Sequence, residues 1–192
     1  RVDLTDVDMA SFAAHKFFGI IGSGLLYKKK GLVLEPVIYG GASTTIYRSG
    51  TPTVSLNKSL ETALLLALKK QKERYDTVSG YNRYLRESFT KYPLITVNSP
   101  DNSIPHILNI SVKGVKGSLF QKALNEKGVC VSVKSACSTD NLPSRAVFAV
   151  SKNRKNALSS WRISLSHITT EDELNEFIKV FDMCYNELTK NS

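Results

Sequence analysis

Carboxylates are scarce in this chain of 192 residues: 17 Asp and Glu stand against 26 Lys and Arg, a net charge of +9 at pH 7 with the histidines neutral. An excess of that sign invites a nucleic acid partner, because clustered cations release counterions from a phosphate backbone. The clustering is lacking. Lys28, Lys29 and Lys30 stand before Gly31 in an expected loop, Lys69, Lys70 and Lys72 are followed by Glu73, and no basic stripe alternates with aromatics. The pattern argues against nucleic acid and leaves the charge for an acidic protein partner or a phosphorylated cofactor. Long apolar runs are missing too. The longest, Ala63 to Leu68, falls far short of the roughly 20 residues that span a bilayer, so no transmembrane segment is expected. Cysteine is sparse and odd in number, at positions 130, 137 and 184, which fits neither a disulfide framework nor a zinc-ligand spacing and suits a reducing cytoplasm. There is no basic-then-apolar amino terminus of the secretory kind, no internal repeat and no low-complexity segment. The chain opens on Arg1 and already alternates apolar and polar over residues 1–8, so it reads as a piece that starts within a fold.

What is there is an ordinary globular composition, 42% hydrophobic, enough for one large or two small domains. Gly24–Tyr27 reads as a short strand, and Leu32–Tyr39 as a further extended stretch broken by Pro36. Pro52 suits a first helical position with Thr51 as its N-cap. From there to about Phe89 the pattern is helical, with Leu56, Leu60, Ala63, Leu64 and Ala67 on one face, a solvated turn at Lys69–Glu73, and Gly80 as the expected break. Beyond Pro93 the period changes. Leu94–Val97, Ile107–Val112, Val129–Val133 and Trp161–Leu165 read as strands, Ser118–Lys127 as a helix closed by Gly128, and a short helix opens at Pro143. The last helix carries a capping box in Thr170 and Glu173 and an apolar face of Leu174, Phe177, Ile178, Phe181, Cys184, Tyr185 and Leu188. The sum is an α/β fold, one sheet with helices on one face.

Four positions could carry chemistry. Lys16 follows His15 and precedes Gly19, Gly22 and Gly24; a lysine presented this way is either a covalent anchor, which needs a lowered pKa, or one more surface charge. Thr51, beside Arg48, Ser49 and Gly50 at a helix start, either helps hold an anion or only caps its own helix. Cys130 and Cys184 lie in apolar patterns and read as small core residues, whereas Cys137 sits in the polar loop Lys134–Asn141, where a nearby lysine favours a thiolate; otherwise it is an inert loop thiol. Arg162 stands inside a strand, where a charge is costly unless paired; its fork either grips a carboxylate or faces water from an edge.

Taken in order, Ser11–Lys16, Arg48-Ser49-Gly50-Thr51, Ser135-Ala136-Cys137-Ser138, and Arg162-Ile163-Ser164-Leu165 with Thr169-Thr170-Glu171 resemble the carboxy-terminal half of a cysteine desulfurase. The loop type is like the group I enzymes of the class V aminotransferase group, with pyridoxal phosphate on fold type I. The resemblance implies that Lys16 forms the internal Schiff base and moves the substrate α proton, and that His15 and Thr51 hold the cofactor phosphate, Thr51 that of the other subunit of a homodimer. It implies that Arg162 binds the carboxylate of L-cysteine, and that Cys137 takes its sulfur as a persulfide for a sulfur acceptor or iron-sulfur scaffold protein. It also implies residues 1–51 as the tail of a large cofactor domain, 52–90 as a connecting helical segment and 91–192 as a small domain, with no metal. The chain departs from the family pattern at Ala13, where a phosphate-binding serine is usual, and at Gly19-Ile20-Ile21-Gly22 and Ser43-Thr44-Thr45. The cofactor-stacking histidine and the aspartate that pairs with the pyridine nitrogen would lie upstream, so this chain alone is expected to bind the cofactor poorly. Rival readings are another class V enzyme, such as a selenocysteine lyase or an aminotransferase, and a non-catalytic paralogue that binds proteins.

Overall fold

The computed structural model describes residues 3–41, 45–133 and 142–190. Cys137 therefore lies outside the described residues. The chain divides into two compact units, Arg1–Lys72 and Glu73–Ser192, each described by itself.

In the first unit, strands β1 (Met9–Ala13) and β2 (Gly24–Lys28) form an antiparallel ribbon, Met9 opposite Lys28 and Ala13 opposite Gly24. A 3-10 turn, Ala14–Phe17, joins them. Helix α1 (Val54–Lys69) follows. Two strands alone are marginal in water, and the hydrophobic residues buried among those described in this unit are Ala14 and Ala63, while Ile21, Val33, Val37, Tyr39 and Val54 are exposed. The segment Leu32–Tyr39, expected to be extended, joins no strand: Pro36 removes a donor, and the Lys28 ammonium takes the Leu32 carbonyl at 2.9 Å. The cap of α1 is Thr53 rather than Thr51, because the first helical bond runs from the Asn57 N–H to the Thr53 carbonyl at 3.0 Å. Pro52, lacking an N–H, is as well accommodated just before the helix as in its first turn.

Helix α2 (Gln71–Phe89) begins directly after α1, so the break falls at Lys70, in the lysine run, and not at Gly80. Gly80 sits inside α2 with open space around it. Its helix cost of about 1 kcal/mol is outweighed by the burial of Val78, Leu85 and Phe89 on the same helix, each contributing about 1.5–3 kcal/mol.

The second unit is built on an antiparallel sheet ordered β3 (Ile95–Val97), β4 (Ile107–Val112), β5 (Ser160–Ser164). Alternation splits it. Leu108, Ile110 and Val112 of β4 and Trp161 and Ile163 of β5 belong to a core completed by Leu85 and Phe89 of α2, Phe120 and Leu124 of α3 (Gly117–Glu126), and Phe177 and Phe181 of α6 (Glu171–Thr189). Phe120 stacks on Trp161 at 5.1 Å between ring centroids, and Phe181 meets Phe89 edge-on at 5.1 Å. The capping box of α6 is formed as expected, and Gly128 takes the left-handed φ of +82° that ends α3.

Two short helices, α4 (Arg145–Ser151) and α5 (Arg154–Ser159), occupy the stretch in which the sequence suggests one. Ser144 and Asn153 cap them in turn. Val129–Val133, expected to be a strand, contributes a single bridge, Ser132 to Arg162. The Val131 carbonyl, which points away from β5, accepts from the Gln121 amide of α3 at 2.9 Å. Cys130 is correspondingly exposed, its thiol 3.7 Å from Asn125 Oδ1, and is not the core residue its apolar neighbours suggest. Cys184 is buried as expected, and burial pushes its thiol pKa up. No helix among the described residues is long and apolar enough to cross a membrane.

Candidate functional site

His15 and Lys16 occupy the 3-10 turn, both exposed. The turn is pinned by its backbone: the Ala14 N–H donates to the Ser23 carbonyl at 3.0 Å and the Gly19 N–H to the Ala14 carbonyl at 2.9 Å. Between these bonds Phe18 adopts a left-handed φ of 71°, a conformation that bulky residues avoid and that clusters at functional sites. Gly19 permits the close return of the chain, since a Cβ there would lie 2.8 Å from the Ala14 Cβ. Further along, the Ile20 N–H donates to Ser59 Oγ of α1 at 3.2 Å, tying the bend to the helix. Lys16 is thus a primary amine without an ion pair among the described residues, held on a fixed turn. Thr51 is exposed ahead of α1, its hydroxyl without a partner among the described residues.

Arg162 sits on β5 in the second unit, partly buried. Its Nε is shielded from solvent and, like the Trp161 Nε1, has no hydrogen-bond partner among the described residues. A buried cationic donor left unmatched is costly, so this atom marks a place where an acceptor belongs. Around it, on the sheet face opposite the aromatic core, lies a polar network absent from the sequence-based expectations. Asn156 Nδ2 of α5 donates to Asn98 Oδ1 at 2.7 Å, and Asn98 Nδ2 donates to Asn109 Oδ1 and Ser111 Oγ, both at 2.8 Å. Ser111 Oγ donates to the Asn156 carbonyl at 2.9 Å. The signal for it is present in β4, where Asn109 and Ser111 alternate with three fully buried aliphatics although Ser111 is itself 1% exposed: a polar strand face that is not a solvent face.

The structure brings His15 and Lys16 onto one turn and places Arg162 on a separate compact unit. As donor groups, Lys16 offers an amine that can condense with a carbonyl, His15 and Thr51 offer an imidazole and a hydroxyl that can donate to an anion, and Arg162, in the other unit, offers a guanidinium that can pair with a carboxylate. Ala13, partly buried at the end of β1, supplies no hydroxyl.

Residues 1–177 match the family model described as aminotransferase class-V. The chain is 34% identical over 98% of its length to a protein of Dictyoglomus turgidum named cysteine desulfurase IscS, covering 48% of that protein. It is 32% identical over 99% of its length to a NifS/IcsS protein homolog of Lactobacillus delbrueckii subsp. bulgaricus, covering 50% of it. A solved structure titled NIFS-like protein superposes with a TM-score of 0.84 at 29% identity, over 95% of this chain and 47% of that one. The chain thus spans about half the length of the curated relatives it matches, the carboxy-terminal half.

Proposed function

Because this chain belongs to the class-V aminotransferase family, whose enzymes depend on pyridoxal phosphate, we propose that it forms the carboxy-terminal part of a cysteine desulfurase. In this reading residues 1–51 end the large cofactor-binding domain of fold type I, 52–90 connect, and 91–192 form the small domain. The observation that carries it is the Nε of Arg162, buried and without a hydrogen-bond partner among the described residues: a cationic donor built into a strand, in a chain that also presents the amine of Lys16 on a pinned turn.

When bound, the cofactor supplies an electron sink for the bonds around the substrate α carbon. The chain's residues do the rest. Lys16 Nζ would hold the cofactor through its carbonyl and would serve as the base that takes the α proton of the substrate. His15 and Thr51 would donate to the cofactor phosphate, Thr51 across the interface of a homodimer. Arg162 fixes the carboxylate and with it the orientation of the α carbon, where loose positioning is expensive in rate. Cys137, the nucleophile that the resemblance of Ser135-Ala136-Cys137-Ser138 implies, attacks the sulfur of L-cysteine as a thiolate. The substrate C–S bond breaks, an S–S bond forms on Cys137, and protonation of the carbon skeleton yields alanine. The persulfide then passes to an acceptor protein, in the cytoplasm, for iron-sulfur clusters or thio-modification.

The test is alanine and sulfide release from L-cysteine by the full-length gene product with pyridoxal phosphate added. Lys16→Ala and Cys137→Ala are each expected to abolish it, with cofactor absorbance retained only in the cysteine variant. A second reading rests on Ala13, which withdraws one phosphate ligand of the family pattern: a non-catalytic, protein-binding paralogue. A wild-type protein with neither turnover nor cofactor absorbance would decide for it.

A further inference from the structure

Arg162 does not stand alone on its strand face. It is paired with Asn109 of β4, and the backbone bonds identify the kind of pair. Both backbone groups of Arg162 turn away from β4 to Ser132, at 2.6 Å and 3.1 Å, while those of Asn109 turn to Ser99 Oγ at 2.9 Å and to the Asn98 N–H at 2.8 Å. This is the narrow, non-hydrogen-bonded pair, whose side chains leave the same face about 4.5–5.5 Å apart at Cβ. The network then orients the Asn109 amide. Asn98 uses both hydrogens of Nδ2, on Asn109 Oδ1 and Ser111 Oγ, and its own Oδ1 is taken by Asn156 Nδ2. With Oδ1 of Asn109 committed to Asn98, its Nδ2 has no partner among the described residues and is the end of the amide left to donate.

We propose that Asn109 is a second binding residue for the substrate carboxylate, its Nδ2 donating beside the Arg162 guanidinium, and that Asn98 and Asn156 are positioning residues that hold the amide in that sense. The chemistry of the pair is selective. A guanidinium alone accepts any anion, whereas a cation flanked by a neutral amide donor suits a planar carboxylate with two acceptor oxygens. The idea rests on Arg162 being the carboxylate site, so its test separates the two.

In the cofactor-free full-length gene product, the arginine Nε–H nitrogen spectrum contains one signal that Arg162→Lys removes. Titration with L-alanine is expected to shift that signal saturably. In Asn109→Asp, which keeps the acceptor toward Asn98 but sets a carboxylate against Arg162, the signal is expected to move before ligand is added and the alanine affinity to fall about ten- to hundredfold. In the cofactor-loaded enzyme the same substitution should raise KM for L-cysteine by a similar factor with far less change in kcat. Asn109→Ser, which restores a small donor, should recover part of the loss. If Arg162→Lys impairs binding and Asn109→Asp does not, or if Asn109→Asp and Asn109→Ser lower only the melting temperature, the assignment of Asn109 is overturned. If Arg162→Lys leaves alanine binding and KM unchanged, the carboxylate reading of Arg162 fails first.

Discussion

Tyr92 Oη donates to Asp182 Oδ1 at 2.9 Å, joining the turn after α2 to the middle of α6. The Tyr92 ring is 6% exposed and lies 5.0 Å from Phe181 and 4.7 Å from Tyr185, centroid to centroid. Burial first, and then the hydrogen bond and charge of Asp182, raise the phenol pKa far above its ordinary value of 10.0. A raised pKa favours the neutral form in the folded state. The associated stability is therefore complete below pH 10, the unfolded value, and is lost as the pH climbs from there toward the folded pKa. Tyr92→Phe keeps the ring contacts and removes the bond, so it should cost about 1 kcal/mol at pH 7 and flatten the loss of stability above pH 10. Urea titrations of both proteins at pH 7, 10 and 11 measure this, and a Phe variant with the wild-type alkaline slope would refute it.

Arg86 of α2 ties a loop that the polar network depends on. Its Nε donates to Asn82 Oδ1 at 2.7 Å, its Nη2 to the Ser99 carbonyl at 2.8 Å, and its Nη1 pairs with Asp101 at 3.0 Å. Asp101 is fully exposed, so that ion pair adds little. The planar fork onto Asn82 and Ser99 is what a lysine cannot copy. Arg86→Lys is expected to cost about 1–2 kcal/mol and to speed hydrogen exchange at the Asn98 and Asn109 amides, whereas Asp101→Asn should do neither. Exchange rates at those two amides are the readout.

How much of this is legible in the sequence depends on how local the cause is. Strand β4 and helix α6 are, because alternation over Ile107–Val112 and the Thr170–Glu173 box act within a few residues. The end of α3 at Gly128 is legible for the same reason. The break at Lys70 is misread, since Gly80 looks weaker on propensity and only the buried side chains around it hold the helix together. Cys130 is misread because Val129 and Val131 suggest a strand, whereas the segment pairs with the sheet only at Ser132 and leaves Cys130 exposed. The polar network on the strand face of Arg162 is not legible, because it is made by residues 98, 109, 111 and 156, which only the folded sheet brings near one another.

The start of α6 offers a quantitative check on a local motif. Thr170 Oγ1 accepts from the Glu173 N–H at 3.2 Å and Glu173 Oε2 accepts from the Thr170 N–H at 2.8 Å. Glu171, Asp172 and Glu173 also place negative charge at the positive end of the helix. Thr170→Ala should cost about 1 kcal/mol. Glu173→Gln, which retains the acceptor and loses the charge, should cost only a few tenths of that scale, and salt should reduce its effect but not that of Thr170→Ala. Thermal melts at low and high ionic strength distinguish the two.

Gly19 connects packing to the proposed chemistry. A Cβ at this position would lie 2.8 Å from the Ala14 Cβ and 3.1 Å from its carbonyl oxygen, the same oxygen that receives the Gly19 N–H. Both obstacles belong to the short turn that carries His15 and Lys16, so the added methyl cannot be relieved by a flexible side chain swinging aside. The turn itself must shift. A displacement near 1 Å at a reacting group is enough to cost about a hundredfold in rate. Gly19→Ala is therefore expected to lower kcat/KM for L-cysteine by about that factor and to weaken retention of the cofactor absorbance on dialysis. Gly31→Ala, where nothing lies within 4 Å of the new methyl, serves as the control and should leave both unchanged. Equal activity in the two variants would show that the exact seat of Lys16 does not limit the reaction, and that the tight return of the chain at Gly19 serves the ribbon and not the amine.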